Sequence, residues 1–310
     1  MILPPPTGGG VAIRRHKLTG TEIRAIERLL AHVHPMQPDH TPSAPPGMPT
    51  LYRAVPMPGH RTAHRLDLTG HDADRAALAT LSETLRAAAD PAAPHVALIE
   101  NVPIAQNAAL MLLIGALFGD VIEFEGHGAP VVEITDRGRV VGGRPSSDNA
   151  LPFDLHTDLS FHPEPPDFIA FLMLAQGLGG GSVFCDPMPV LQTLTPADIA
   201  ALHTPFRFPP SLHRPDMGPQ FFPILQTAGS RFALRYRRDG LEAQNAAQAT
   251  ALSAFAQGID AAAVELSLAP GELTLFSNRF LLHGRKGFST HAQGRRRSAL
   301  RAYLAPPPNM

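Results

Sequence analysis

Hydrophobic and polar positions alternate with two different periods along this chain. Residues 19–34 (TGTEIRAIERLLAHVH) place Ile23, Ile26, Leu29 and Leu30 on one face, and Thr19 with Glu22 forms a capping pattern, so the period predicts an amphipathic helix. Proline-rich residues 34–59 break it. The pattern then predicts a second helix over 72–89, a short apolar strand at 95–100 (HVALIE) and a third helix near 106–118. From Val121 onward the period shortens. VIEFEG, PVVEITD, GRVVGG, DFIAFLML, GGSVFCD, RFALRYR, GELTLFS and SALRAYLA are separated by Gly, Pro, Asn and Asp, which favours a sheet sandwich or barrel over alternating βαβ units. One helix is expected inside this region at 241–258 and another after Pro196. Neither repeat nor linker divides the chain. The expectation is one domain, 1–310, with a helical part to about residue 120 and a β core over about 121–305, and residues 137–149 as a mobile loop.

Composition narrows the function classes. The 310 residues are 44% hydrophobic, enough for a substantial core, and the formal net charge is -1. No strong field draws such a chain to nucleic acid or to an anionic membrane, which leaves a small molecule as the expected partner. The single cysteine, Cys185, excludes an intrachain disulfide framework and suits a reducing cytoplasm. The opening residues lack the order of a secretory leader, and no apolar run is long enough to span a bilayer.

The chemistry concentrates in residues 151–168, LPFDLHTDLSFHPEPPDF. On an extended segment His156 and Asp158 project from the same face and can converge on one ion. By itself His-x-Asp is a weak signal and reads more readily as the polar part of a hydrogen-bonded turn. A third candidate ligand lies in GELTLFSNRFLLHGR, where His283 ends an apolar run before glycine and arginine. Two histidines and a carboxylate form the facial triad of non-haem Fe(II) oxygenases, which leaves coordination positions open. A cosubstrate arginine should follow. GRRRSALR supplies Arg297, fourteen positions after His283, and Arg301 four later.

With HTD, HPEPPDFIAFLML, GGGSVFCD, LFSNRFLLHGRKGF and RRRSALRAYL in this order, the chain resembles the Fe(II)/2-oxoglutarate-dependent oxygenases of the clavaminate synthase-like and taurine dioxygenase-like superfamily. The resemblance implies a mainly β fold with flanking helices around a double-stranded β-helix, or jelly-roll, core. It implies His156, Asp158 and His283 as iron ligands, Arg297 as the partner of the distal 2-oxoglutarate carboxylate, and Ser182 in place of the usual assisting threonine. Fe(II), 2-oxoglutarate and dioxygen would then hydroxylate an unactivated C–H bond of a free amino acid or similar small carboxylic acid. Asp158 itself argues against halogenation, since halogenases of this kind lack the carboxylate. His162 and His291 are expected to be non-ligands.

Substrate residues are less constrained. Relatives place an arginine for a substrate carboxylate at the position of Arg301, although an ordinary strand-end ion pair explains it too. Glu125 falls where amino-acid hydroxylases present a polar group to the substrate amine, and a surface-strand role fits equally. Arg235 and Arg237 stand where arginine hydroxylases carry acidic residues. They disfavour a cationic side chain if they face the pocket, and form a solvated basic face if they do not. The alternatives are the same chemistry on a sulfonate, larger metabolite or carrier-bound substrate, and a metal-binding jelly-roll module without turnover.

Overall fold

The computed structural model describes residues 10–33, 52–59, 61–104, 107–124, 129–138, 140–141, 144–145, 149–210, 218–229, 231–289 and 297–306. Among them, nine strands form a major sheet with the path Ala12–Lys17, His95–Glu100, Leu273–Ser277, Phe168–Ala175, Ser298–Ala305, Asp120–Phe124, Arg61–Leu66 and Tyr52–Met57; Val131–Thr135 also pairs with Ser298–Ala305. A four-stranded minor sheet runs Val264–Leu266, Ser182–Cys185, Leu282–Arg285 and Phe153–His156. Adjacent strands are antiparallel throughout the minor sheet.

Alternation along each strand distributes the core into three layers. Ile122, Ile169, Met173, Phe276, Ala299 and Tyr303 from the major sheet meet Phe184 and Leu266 from the minor sheet. The reverse face of the major sheet, with Ala170, Leu172, Leu275 and Leu304, packs on Ile26, Leu29, Leu81, Leu85, Leu110 and Leu113 of the helices. Beyond the minor sheet, Val183, Cys185 and Leu282 pack on Phe255 and Ile259 of the helix Ala246–Ala261. Cys185 is buried, and burial followed by the nearby carboxylates of Asp186 and Asp260 pushes its thiol up to about 12.

The first helix, Gly20–Leu30, carries the expected reciprocal cap between Thr19 and Glu22. The segment read as one helix over 72–89 is instead two, Asp72–Ala77 and Ala79–Ala87, broken at Leu78 (φ -100°, ψ 8°). The last long helix begins at Ala246, because Asn245 accepts from the Gln248 amide while Glu242 is held in a bridge with Arg207. A larger correction concerns the front of the chain. Among the described residues it holds four strands, where one was expected, and Ala12–Lys17, Tyr52–Met57 and Arg61–Leu66 give no apolar alternation because they occupy the margins of the sheet. The sheet therefore crosses the boundary expected near residue 120. Residues 137–149 lie partly outside the described residues, and within them Val140–Val141 pairs with Arg144–Pro145.

Candidate active site

His156 and His283 sit directly opposite each other on the antiparallel strands Phe153–His156 and Leu282–Arg285, with ring centroids 4.3 Å apart. Their approach depends on the glycine that follows His283. A Cβ on Gly284 would lie 2.6 Å from the Phe153 carbonyl oxygen, so only glycine lets the two strands close at this irregular register. Beyond His156 the chain leaves the sheet. The Thr157 amide donates to the Tyr236 carbonyl at 2.7 Å, and the Tyr236 amide donates to Thr157 Oγ1 at 3.0 Å. Leu159 then adopts φ +52°, a left-handed conformation that a leucine holds only where its surroundings impose it.

The imposing residue is Asn278, buried in the turn after Leu273–Ser277. Its Oδ1 accepts from the Asp158 amide at 2.7 Å, while its Nδ2 donates to the carbonyls of Asp158 at 3.0 Å and Pro166 at 2.9 Å. One side chain thus pins both ends of the Asp158 peptide. Asn278→Ala should orphan these three backbone groups and cost about 2–4 kcal/mol. Urea denaturation should show this, and Asn278→Asp should recover only the part carried by the accepted bond.

His156, Asp158 and His283 are all buried, and their ligand atoms lie within 4.8 Å of one another. His156 Nε2 is 3.2 Å and His283 Nε2 3.9 Å from Asp158 Oδ1. The other His156 nitrogen, Nδ1, is 2.8 Å from the Asp154 carbonyl. A carbonyl only accepts, so Nδ1 carries a proton and Nε2 is the nitrogen directed at the carboxylate oxygen. Nε2 and Oδ1 are thereby close enough to serve as neighbouring ligands of one ion. Burial, reinforced by His156, depresses His283 to about 3 and keeps it a neutral imidazole. Burial alone would raise Asp158, but Arg301 and the two histidines outweigh it and hold the carboxyl well below the usual range. Two imidazoles and one carboxylate form a donor set suited to a divalent metal.

The triad opens onto a cleft of roughly 460 Å³, including its mouth, also lined by Phe153, Phe171, Ser182, Arg285, Arg297 and Arg301 among others. Arg297, Arg301 and Tyr303 lie two or four residues apart at the edge of and within Ser298–Ala305, and strand alternation turns all three inward. Arg297 is buried, and burial lowers its guanidinium to about 10, still charged at neutral pH. Its Nε has no hydrogen-bond partner among the described residues. Arg301 Nη1 donates to Asp158 Oδ2 at 3.1 Å, and the Tyr303 hydroxyl donates to the same oxygen at 3.0 Å.

The remaining candidates separate. Arg235 does not line the cleft; its guanidinium donates to the backbone carbonyls of His162 and Pro163, the latter at 2.7 Å, and covers the Phe222 ring at 4.2 Å. Neither reading left open by the sequence, a charge facing the pocket or a solvated basic face, describes this buried arginine, which braces the loop after Asp158. Arg237 pairs with Asp239 through Nε at 2.7 Å and Nη2 at 3.1 Å. It lines a second cavity of about 530 Å³ that shares Phe153 and His156 with the first. Glu125 and His291 lie outside the described residues. His162 lies outside the metal-capable group, with Nδ1 2.8 Å from the Glu164 carbonyl and its ring against Phe124. Sequence reasoning missed Asn278, treated only as part of a turn, and Tyr303, although inward alternation from Arg297 through Arg301 reaches it.

A model of the taurine catabolism dioxygenase TauD, TfdA family matches residues 56–303. The chain belongs to this family. It is similar to the L-lysine 3-hydroxylase of Catenulispora acidiphila, with 26% identity over 201 residues covering 59% of this chain and 53% of that protein. It is also similar to the L-asparagine oxygenase of Streptomyces coelicolor, with 29% identity over 206 residues covering 64% and 61%. The matched part thus spans about half to three-fifths of the length of these curated relatives. Among solved structures, asparagine oxygenase in complex with Fe(II), 2S,3S-3-hydroxyasparagine and succinate superposes with a TM-score of 0.71 at 22% identity, covering 94% of this chain and 93% of that one. Non-heme iron oxygenase OrfP in complex with Fe and alpha-ketoglutaric acid gives 0.73 at 18%, covering 95% and 94%. At these identities the likeness is one of fold, and this family member has the expected jelly roll with flanking helices.

Proposed function

We propose that this TauD/TfdA-family protein is an Fe(II)- and 2-oxoglutarate-dependent hydroxylase of a free amino acid or a similarly small carboxylic acid. The observation that carries the proposal is Arg297. A buried cation with an unpartnered Nε lines the same cleft as two imidazoles and a carboxylate. A structural metal site has no use for such a clamp, whereas a cosubstrate with a carboxylate at its far end does. The curated relatives named for lysine and asparagine support an amino acid as the substrate class.

In this proposal His156, Asp158 and His283 hold the metal on one side, and Arg297 with the Ser182 hydroxyl receives the distal carboxylate of 2-oxoglutarate. When bound, the iron supplies, with 2-oxoglutarate and dioxygen, the oxidant for an unactivated C–H bond. Phe153 and Phe171 are apolar walls that exclude water from that bond. Arg301 orients the substrate carboxylate while keeping its contact with Asp158. Arg237 reaches the substrate from the second cavity, where its pairing with Asp239 limits any preference for an acidic side chain. Glu125 remains a candidate partner of the substrate amine. The reducing cytoplasm is the compartment that suits the buried thiol of Cys185; among the described residues, no helix is long and apolar enough to cross a membrane.

The test is anaerobic loading with Fe(II), then addition of oxygen, 2-oxoglutarate and ascorbate across a panel of amino acids, small acids and sulfonates. Succinate release and product mass are followed together. An amino acid or small acid should raise succinate release and gain one oxygen. Coupled turnover on sulfonates alone, or on none of the panel, would overturn the substrate assignment, and absence of metal binding would overturn the enzyme assignment.

A further inference from the structure

We infer that Tyr303 is a positioning residue that makes Asp158 a one-oxygen ligand. The inference rests on the metal-site reading above and deepens it. The carboxylate divides cleanly between two environments. Oδ2 accepts from the Tyr303 hydroxyl at 3.0 Å and from Arg301 Nη1 at 3.1 Å, whereas Oδ1 faces His156 Nε2 at 3.2 Å and His283 Nε2 at 3.9 Å. Two donors fill the acceptor capacity of one oxygen and leave the other for the ion.

The hydroxyl is held as firmly as the carboxylate. Tyr303 is 5% exposed, its ring meets the edge of Phe124 at 5.5 Å, and the Arg301 guanidinium lies 4.6 Å from its centroid. The backbone of Asp158 is fixed independently by Asn278, so the rotations within its side chain, including that of the carboxyl group, are the freedom that remains. A carboxylate free to rotate could turn both oxygens to the metal and occupy a position that the facial triad otherwise leaves open. Tyr303 blocks that rotation from the far side. Arg301 adds a single Nη1 donor to the same oxygen, and Tyr303 supplies the second.

Tyr303→Phe keeps the ring and its contacts and removes only the donor. Metal-free wild type and variant are titrated anaerobically with Co(II), read by visible absorption, and melted without metal. The variant should bind Co(II) roughly 10–100-fold more weakly, with altered band shape and intensity, while its metal-free melting temperature stays close to wild type. Unchanged Co(II) affinity and spectrum in Tyr303→Phe would overturn the inference while leaving the metal site standing. A variant that melts earlier but binds Co(II) as wild type does would also overturn it, since the hydroxyl would then serve stability alone. A wild-type protein that fails to bind Co(II) would bring down the metal-site reading itself, and the inference with it.

Discussion

Alanine at His156, Asp158 or His283 should reduce Co(II) affinity by more than the roughly 10–100-fold typical of losing an outer partner, and should abolish substrate-coupled succinate release. The three variants should nevertheless differ in stability. Replacing either histidine removes a ring that packs on its neighbours, with His156 against Phe153 at 4.3 Å and His283 against Phe276 at 5.1 Å. These losses resemble ordinary core truncation. Asp158→Ala instead removes the acceptor that Arg301 and Tyr303 share inside the protein. Breaking a buried ion pair from one side costs about 3–5 kcal/mol, so Asp158→Ala should be the least stable of the three in urea even without metal. Asp158→Asn should recover much of that stability without recovering the metal. Equal stability of the Asp158→Ala and histidine variants would show that Arg301 finds another partner at no cost.

The same pair explains which parts of the site were legible in the sequence. Metal ligands announce themselves because spacing on a strand fixes direction: His156 and Asp158 share a face, and the apolar run before His283 brings it to the adjacent strand. The core strands were legible for the same reason, since both of their faces or one full face is buried. Marginal strands were not. Ala12–Lys17 exposes most of its side chains, so its polarity masks its pairing with His95–Glu100. Asn278 was hidden for a different reason. A turn asparagine ordinarily serves its own backbone, and nothing local says that this one spans 120 residues to hold Asp158. Arg235 shows the opposite failure. Its place in a basic stretch left a pocket-facing charge and a solvated face both open, but tertiary packing buries it and turns its donors to carbonyl oxygens.

Arg297→Met should raise the 2-oxoglutarate concentration needed for half-saturation by roughly 10²–10⁴-fold, because two charge-assisted bonds, each worth about 1.5–3 kcal/mol, are lost together. It should do so without weakening the ligand-free fold. A guanidinium that is buried with its Nε unpartnered among the described residues carries a desolvation cost, and an apolar side chain of similar length removes that cost. Loss of cosubstrate binding with unchanged or higher urea stability therefore distinguishes a ligand clamp from a structural arginine, whose removal would lower both. Arg301→Ala should give a contrasting pattern. The sequence alone suggested weaker binding of the primary substrate with little effect elsewhere, but the 3.1 Å contact with Asp158 ties this arginine to a metal ligand. Metal affinity should fall about tenfold or more alongside substrate affinity, while 2-oxoglutarate binding, measured by calorimetry at saturating Co(II), stays near wild type. If Arg297→Met leaves 2-oxoglutarate binding intact and Arg301→Ala destroys it, the two arginines have exchanged the roles proposed for them, and the cosubstrate lies in the cleft in the opposite sense.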